Sequence, residues 1–329
     1  MVWKNPWYNS AMPHHRPDGF CNPAPQTRED GDVQRWRKNR RQQRLPYPPK
    51  EGYAAFQDSW WQPVDFNAQG DGVWWLGHAS LLLRLSGQYL LTDPVFSRRA
   101  SPLTFYGPER KTPSPITLSE LPHLDAVLIS HNHYDHLDKH TIMEISRRFP
   151  EAYYYVPLGL KPWFLRLGIK QVVELDWWES KLHSSLSICA VPARHWSMRT
   201  LWDRNRTLWC GWVIGHAGKR FWFSGDTGYS KQLLEIPERL GVIDAAAIPI
   251  GAYAPRWFMG DNHMAPEQAV LLWQKIGKPL AIPIHWGVFE LGDESLDEPP
   301  QVLLDTLIAA GESLTRFAPV RIGAFISMP

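Results

Sequence analysis

Ser130-His131-Asn132-His133-Tyr134-Asp135-His136 follows directly on the short apolar run Asp125–Ile129. The run reads as a buried strand and the seven residues after it as the loop at its end. Imidazole nitrogen and carboxylate oxygen are the ligands that zinc and its neighbours take. Placed together after a strand, His131, His133, Asp135 and His136 aim several such atoms into one small volume. A helix would not, because positions i and i+2 face different ways on it.

Three further residues repeat that placement. His195 follows the run Leu186–Pro192, and His285 follows Leu280–Ile284. Asp226 stands in Phe223-Ser224-Gly225-Asp226-Thr227-Gly228, again after an apolar strand. Each alone is bland, since a lone histidine is more often a packed or exposed residue than a ligand. Their shared position at strand ends, where α/β sheets gather their sites, raises all three.

Outward from this centre the chain predicts strands over Val73–Leu76, Ser80–Leu85 and Gln88–Thr92, then Ala152–Val156, Gln171–Leu175, Leu186–Val191 and Ala245–Ile250. A hairpin from Trp209 to Gly225 turns at Gly215–Gly218, and helices are expected over Lys139–Phe149, Pro266–Ile276 and Pro300–Leu314. Pro266 suits a first helical turn, where its missing N–H costs nothing. Strands spaced by a few helices give an α/β layered body, placed over residues 71–329. Residues 1–70, rich in Pro, Gly, Arg and Trp, read as an irregular basic arm wrapped on that body.

An apolar fraction of 44% with 21% charged residues excludes disorder, and 329 residues suffice for a large core without a disulfide scaffold. Three cysteines, none in a C-x-x-C pair, suit a reducing compartment and argue against a thiolate zinc site. Neither a signal peptide nor an apolar run of membrane-spanning length stands in the sequence. The expectation is a cytoplasmic protein that meets membranes peripherally if at all. Net charge is only +2, but the first 50 residues hold ten Lys/Arg against four Asp/Glu. The arm around Arg35–Arg44 could therefore meet lipid headgroups or nucleic acid, of which nucleic acid is the less expected. Phe56–Trp61 and Trp257–Met259 could supply an apolar membrane contact, although core packing is the default use of such residues.

The order H-x-H-x-D-H, a distant His, G-D-T-G and a late His resembles the metallo-β-lactamase superfamily. Within it the chain most resembles the N-acylphosphatidylethanolamine-hydrolysing phospholipase D family and its bacterial relatives. Leu76-Gly77-His78-Ala79, Leu91-Thr92-Asp93-Pro94, Pro192–Trp196, Ile248–Tyr253, Pro255–Met259 and Ile284-His285-Trp286-Gly287 carry that narrower likeness. The resemblance implies a four-layer αββα sandwich and two metal ions, taken as zinc with iron or manganese not excluded. His131, His133 and His195 would hold one ion, Asp135, His136 and His285 the other, and Asp226 both. It further implies that Tyr134 and His263 contact substrate, with His263 also a candidate general acid. Asp93 is expected to orient a ligand histidine, and His78 to be a structural histidine beside the site. The implied reaction is hydrolysis of an N-acylphosphatidylethanolamine-like lipid to an N-acylethanolamine and phosphatidic acid. Asp135, Asp226 and His263 would be its central residues. A lactonase, a small-molecule phosphodiesterase and a nucleic-acid-processing hydrolase are the competing readings. The sequence leaves open whether the chain forms a homodimer.

Overall fold

The computed structural model describes residues 3–25, 27 and 29–329. Its first part is more regular than the arm expected over residues 1–70. β1 (His15–Arg16) and β2 (Gly19–Phe20) pair antiparallel, and two helices follow, α1 (Asp32–Gln43) and α2 (Gly52–Trp60). α1 lacks an apolar stripe, which is why its periodicity gave no signal. It is held by what it lies on. Trp36 stacks on Phe258 at 4.9 Å and donates from Nε1 to Asp293, while the Arg35 guanidinium covers the Trp257 ring at 3.8 Å. The aromatic stretches offered as membrane contacts are thus largely engaged in packing. Phe56 and Trp60 both meet Trp286 edge-on.

The body is built on two mixed sheets. β3 (Gly72–Gly77), β4 (Ser80–Leu85), β5 (Gln88–Thr92), β6 (Ala126–Leu128), β7 (Tyr153–Pro157) and β8 (Val172–Leu175) form the first, closed on its β3 edge by the last strand of the chain. The second runs from β9 (Ser180–His183) through β10 (Leu186–Val191), β11 (Gly211–His216), β12 (Lys219–Phe223) and β13 (Ala245–Pro249) to β14 (Leu280–Ile284). That last strand, β15, is Phe325–Ser327.

Alternate residues of the first sheet face two different cores. Val73, Trp75, Leu81, Leu83 and Leu90 point inward to the second sheet. Trp74, Leu82, Leu91 and Val127 point outward to α3 (Lys139–Arg148) and α4 (Lys161–Arg166), through Ile142, Ile145 and Phe164. Strands buried on both faces must be apolar throughout, hence the continuous runs in the sequence. Two short helices, α5 (Glu235–Leu240) and α6 (Arg256–Met259), lead to α7 (Pro266–Lys275) and α8 (Glu298–Ala309). α7 packs on β13 and on α8, completing an α/β sandwich of the metallo-β-lactamase fold.

β5 to β8 run parallel, as do β12 to β14, so these strands deliver their carboxyl ends to one rim. That rim holds the chemistry. Among the described residues, no helix is long and apolar enough to cross a membrane.

Candidate metal centre

The sequence-selected residues, His263 excepted, lie after the ends of strands. His78 follows β3, Asp93 follows β5, His131 to His136 follow β6, Asp226 follows β12 and His285 follows β14. His195 comes four residues after β10, and His263 lies in the turn that leads into α7. The chain must bend sharply here. His78, Asp93 and His285 all take left-handed backbone angles, with φ of 53°, 34° and 64°. His and Asp tolerate that region better than bulkier residues do, and such geometry collects at functional sites. Gly225 brings the Asp226 turn close to the histidine loop, since a Cβ on it would lie 2.7 Å from Ser130 Cβ. A backbone bond from His285 N to His78 O, 3.0 Å, ties the two sheets together across the rim.

The side chains then converge. His131 Nε2 and His195 Nε2 lie 2.8 and 3.2 Å from His133 Nδ1. His136 Nε2 and His285 Nε2 approach Asp135 Oδ2 at 3.2 and 3.4 Å and Asp226 Oδ2 at 3.1 and 3.0 Å. Asp226 Oδ2 is also 4.0 Å from His131 Nε2, 3.7 Å from His195 Nε2 and 4.0 Å from His263 Nδ1. One carboxylate oxygen therefore faces five imidazole nitrogens, four from the two groups and one from His263.

Burial lowers most of these imidazoles, His195 to about 3, His133 to about 4, and His131 and His263 well below the ordinary histidine range. They are held in the neutral form that ligates metal. His136 and His285 run the other way. Burial would lower them too, but Asp226 and Asp135 beside them raise His136 well above its usual value and His285 to about 9. Burial would likewise raise the Asp135 and Asp226 carboxyls, yet His136 and its neighbours hold both well below the carboxylate range. A proton on His136 or His285 thus balances buried negative charge, which a divalent cation at the same place would balance more fully.

Two observations test whether the residues suit such an ion. His136 Nε2, His285 Nε2 and Asp226 Oδ1 are buried without a hydrogen-bond partner, although opposite charges lie beside them. Buried polar atoms left unpaired are costly and rare, so atoms that converge without bonding one another are arranged for a shared partner. Ligands about 2.0–2.1 Å from a tetrahedral ion lie roughly 3.3 Å apart, close to the spacings here. All donors are nitrogen or oxygen. The site fits a metal.

Outside this cluster, Asp93 joins the start of the histidine loop to one of its rings. Its Oδ1 accepts from Ser130 N at 2.7 Å, and Oδ2 accepts from Ser130 Oγ at 2.5 Å and from His136 Nδ1 at 2.7 Å. Complete burial raises its carboxyl, an effect that His136 and Ser130 oppose. His78 is buried with Nε2 2.9 Å from Asp135 Oδ2, so it bears on the cluster through that carboxylate. Tyr134 turns away from the imidazoles. Its hydroxyl donates to Arg199 O at 2.9 Å, its ring lies 4.1 Å from the Arg199 guanidinium, and it lines a cleft of about 1100 Å³ that none of the clustered imidazoles lines.

Sequence reasoning missed the groups that fix the loop. Arg199 Nη1 donates to Asn132 O and Leu137 O, closing both ends of the histidine loop, and Ser130 Oγ lies 2.8 Å from His131 Nδ1. A lone arginine more than sixty positions from its partners gives no sequence signal. Ser130 could have been found, as the residue between a strand and its first ligand.

Two facing sheets with a His/Asp cluster at their carboxyl rim define a hydrolase of the metallo-β-lactamase fold. A match to the Beta-lactamase superfamily domain over residues 88–286 agrees. The chain belongs, within that superfamily, to the N-acyl-phosphatidylethanolamine-hydrolysing phospholipase D family. It is 41% identical over 272 residues to N-acyl-phosphatidylethanolamine-hydrolyzing phospholipase D 1 of Caenorhabditis elegans, which covers 79% of this chain and 76% of the relative. The mitochondrial enzyme of the same name from Saccharomyces cerevisiae is 36% identical over 70% of this chain, a match that spans half of the yeast protein. In fold it is similar to the isothiocyanate hydrolase from Delia radicum gut bacteria, with a TM-score of 0.63, 18% identity and coverage of 79% of this chain and 99% of the other.

Proposed function

We infer that this protein is a dinuclear metal phosphodiesterase of phospholipase D type, with zinc as the metal. Its substrate would be an N-acylphosphatidylethanolamine-like lipid, released as an N-acylethanolamine and phosphatidic acid. The observation that carries the reading is Asp226 Oδ2, one buried oxygen within 4.0 Å of imidazole nitrogens from both groups. His131, His133 and His195 would hold one ion, Asp135, His136 and His285 the second, and Asp226 would reach both. Two such ions supply a water deprotonated at neutral pH and offset charge growing on a phosphoryl oxygen.

The chain's own residues supply the rest. Asp93 fixes the His136 ring through Nδ1, so that Nε2 faces the cluster. The backbone carbonyl of Asn262 does the same for His195 at Nδ1, 3.1 Å away. His263 presents Nδ1, which has no hydrogen-bond partner, to the same space as Asp226. We assign it to the leaving oxygen: neutral in the free site, it would take up a proton beside the negative charge of a bound phosphodiester and hand it over there. Tyr134, within the histidine loop, lines the large cleft, where it would meet the substrate's amide-bearing arm.

Metal analysis of the purified protein tests the first half of this reading. Close to two ions per chain are expected, with zinc predominant. The second half is tested by mass spectrometry of products from a panel of phosphodiesters and lactones. Release of N-acylethanolamine, abolished by a chelator while the far-ultraviolet circular dichroism persists, is the expected result. The body holds itself together by apolar burial, so metal loss should not unfold it. Turnover confined to lactones would assign the site to small esters instead.

A further inference from the structure

Two loops beside the metal-loop cleft break the usual rule for large apolar side chains. On the loop between β5 and β6, Phe105 is 78% and Tyr106 69% exposed. On the loop between β10 and β11, Leu201 is 80% and Trp202 76% exposed. Leu103 and Thr104 of the first loop and Thr200 and Asp203 of the second line the same cleft of about 1100 Å³. The two apolar tips therefore border one opening. Ile116, Met143 and Trp163 also line it, as does Tyr134 of the histidine loop. Isolated exposed apolar residues need no explanation, but aromatic and aliphatic groups clustered at the mouth of a cleft mark an interaction surface.

Charge around the opening says what kind of surface it meets. Lys139 and Arg166 line the cleft and are exposed, with no ion pair among the described residues. Of the three acids that line the cleft, Asp138, Glu144 and Asp203, the first and last are already occupied by the chain's own backbone. Asp138 accepts from Ser97 N and His140 N, and Asp203 from Arg199 N and Thr200 N. Exposed Phe, Tyr, Trp and Leu tips flanked by unpaired cations form the composition that settles into the headgroup region of an anionic bilayer. The amino-terminal arm offers less, because Trp36 is stacked on Phe258 and Arg35 covers Trp257.

We propose that the loops bearing Phe105–Tyr106 and Leu201–Trp202 dock this protein on anionic phospholipid membranes, setting the cleft mouth against the lipid surface. The choice of a lipid surface rests on the phospholipid reading of the site given above. Docked this way, a lipid enters the cleft from the bilayer and passes Tyr134 toward the rim.

Co-sedimentation with vesicles of phosphatidylcholine, with and without phosphatidylglycerol, tests the proposal on the intact protein. Wild type should bind both and bind the phosphatidylglycerol vesicles more tightly. Phe105→Ser combined with Trp202→Ser should weaken binding about tenfold or more, as expected when two large apolar groups no longer leave water. An arm variant, Arg37→Gln with Lys38→Gln and Arg41→Gln, should lose less than the loop variant does. Hydrolysis of a short-chain, soluble N-acyl phosphodiester should be the same in the loop variant and wild type. Loop-variant sedimentation like that of wild type overturns the proposal, as does loss confined to the arm variant. Should the loop variant instead turn a wild-type dimer into a monomer without changing vesicle binding, a second copy covers the patch and the membrane assignment fails. Wild type that cleaves the soluble phosphodiester but ignores vesicles defeats the docking surface alone. Wild type that binds vesicles through these loops but cleaves no phosphodiester defeats the phospholipase reading alone.

Discussion

Replacing Asp93 by Asn exchanges one oxygen for an NH2 group and isolates one contact. The carboxylate accepts three hydrogen bonds, from Ser130 N at Oδ1 and from Ser130 Oγ and His136 Nδ1 at Oδ2. An amide can keep the first with its oxygen. Its NH2 group then faces two donors, of which only the Ser130 hydroxyl can turn round and accept. His136 Nδ1–H is left opposite another donor in a fully buried place. An unsatisfied buried group costs about 1–3 kcal/mol. At about 1.4 kcal/mol per tenfold, that is roughly a 5- to 150-fold weakening of whatever His136 Nε2 holds. The range overlaps the roughly 10–100-fold loss usual when the partner of a metal-bound histidine is removed. The assay is competition with a graded chelator, followed by metal counting and activity, with near-ultraviolet circular dichroism to show that the core still packs. One ion should leave at lower chelator concentration than in wild type, and activity should fall with it. A variant that holds both ions as tightly as wild type would refute this account of Asp93.

Three further outcomes follow from the same geometry. Asp226→Asn should release or weaken both ions together, because its Oδ2 faces nitrogens of both groups; loss of one ion with the other held normally would end the bridging assignment. His263→Ala should lower turnover by about 10²–10⁴-fold while metal content stays at the wild-type level. If only KM rises, the residue binds substrate and donates no proton. Docking of residues 3–22 should loosen as pH falls below about 6.5, because burial lowers His15 while His14 and His15 hold Asp176 below its usual value against burial. The signs agree. A histidine neutral in the fold loses stability once the unfolded chain takes up its proton, and a depressed carboxylate gives stability that is lost on acidification. Amide exchange of that segment, corrected for its intrinsic pH dependence, should rise relative to the sheets and flatten in His15→Gln. An equal response in the two proteins counts against this.

What the sequence could disclose follows from where each element gets its stability. β3 to β6 are buried on both faces, so their own residues announce them, and β10 and β14 were placed to the residue. β9 is mostly exposed at a sheet edge and reads Ser180-Lys181-Leu182-His183, with little apolar content to mark it. α1 carries five cations among twelve residues and owes its place to Trp36 and Arg40, the latter donating to Glu290 O and Leu291 O some 250 positions away. An element fixed by its partner cannot be read from its own pattern, since nothing local distinguishes it from a solvated arm.

The same division explains the rim. Metal-ligand residue types after strand ends are a local signal, and four of those residues, His131, His136, His195 and His285, converge within 4.0 Å of Asp226 Oδ2. The groups that hold them are not local: Arg199 clamps Asn132 and Leu137, and Asn262 O fixes His195. Neither contact uses an unusual residue type, and all three acceptors at the Arg199 and His195 contacts belong to residues whose side chains are not zinc ligands. Backbone carbonyls are present at every position, so only the fold decides which of them becomes a positioning group. The Phe105 and Trp202 loops belong to this second class as well. Their residues would suit a core, and it is their exposure at the cleft mouth, a property of the assembled chain, that gives them a different meaning.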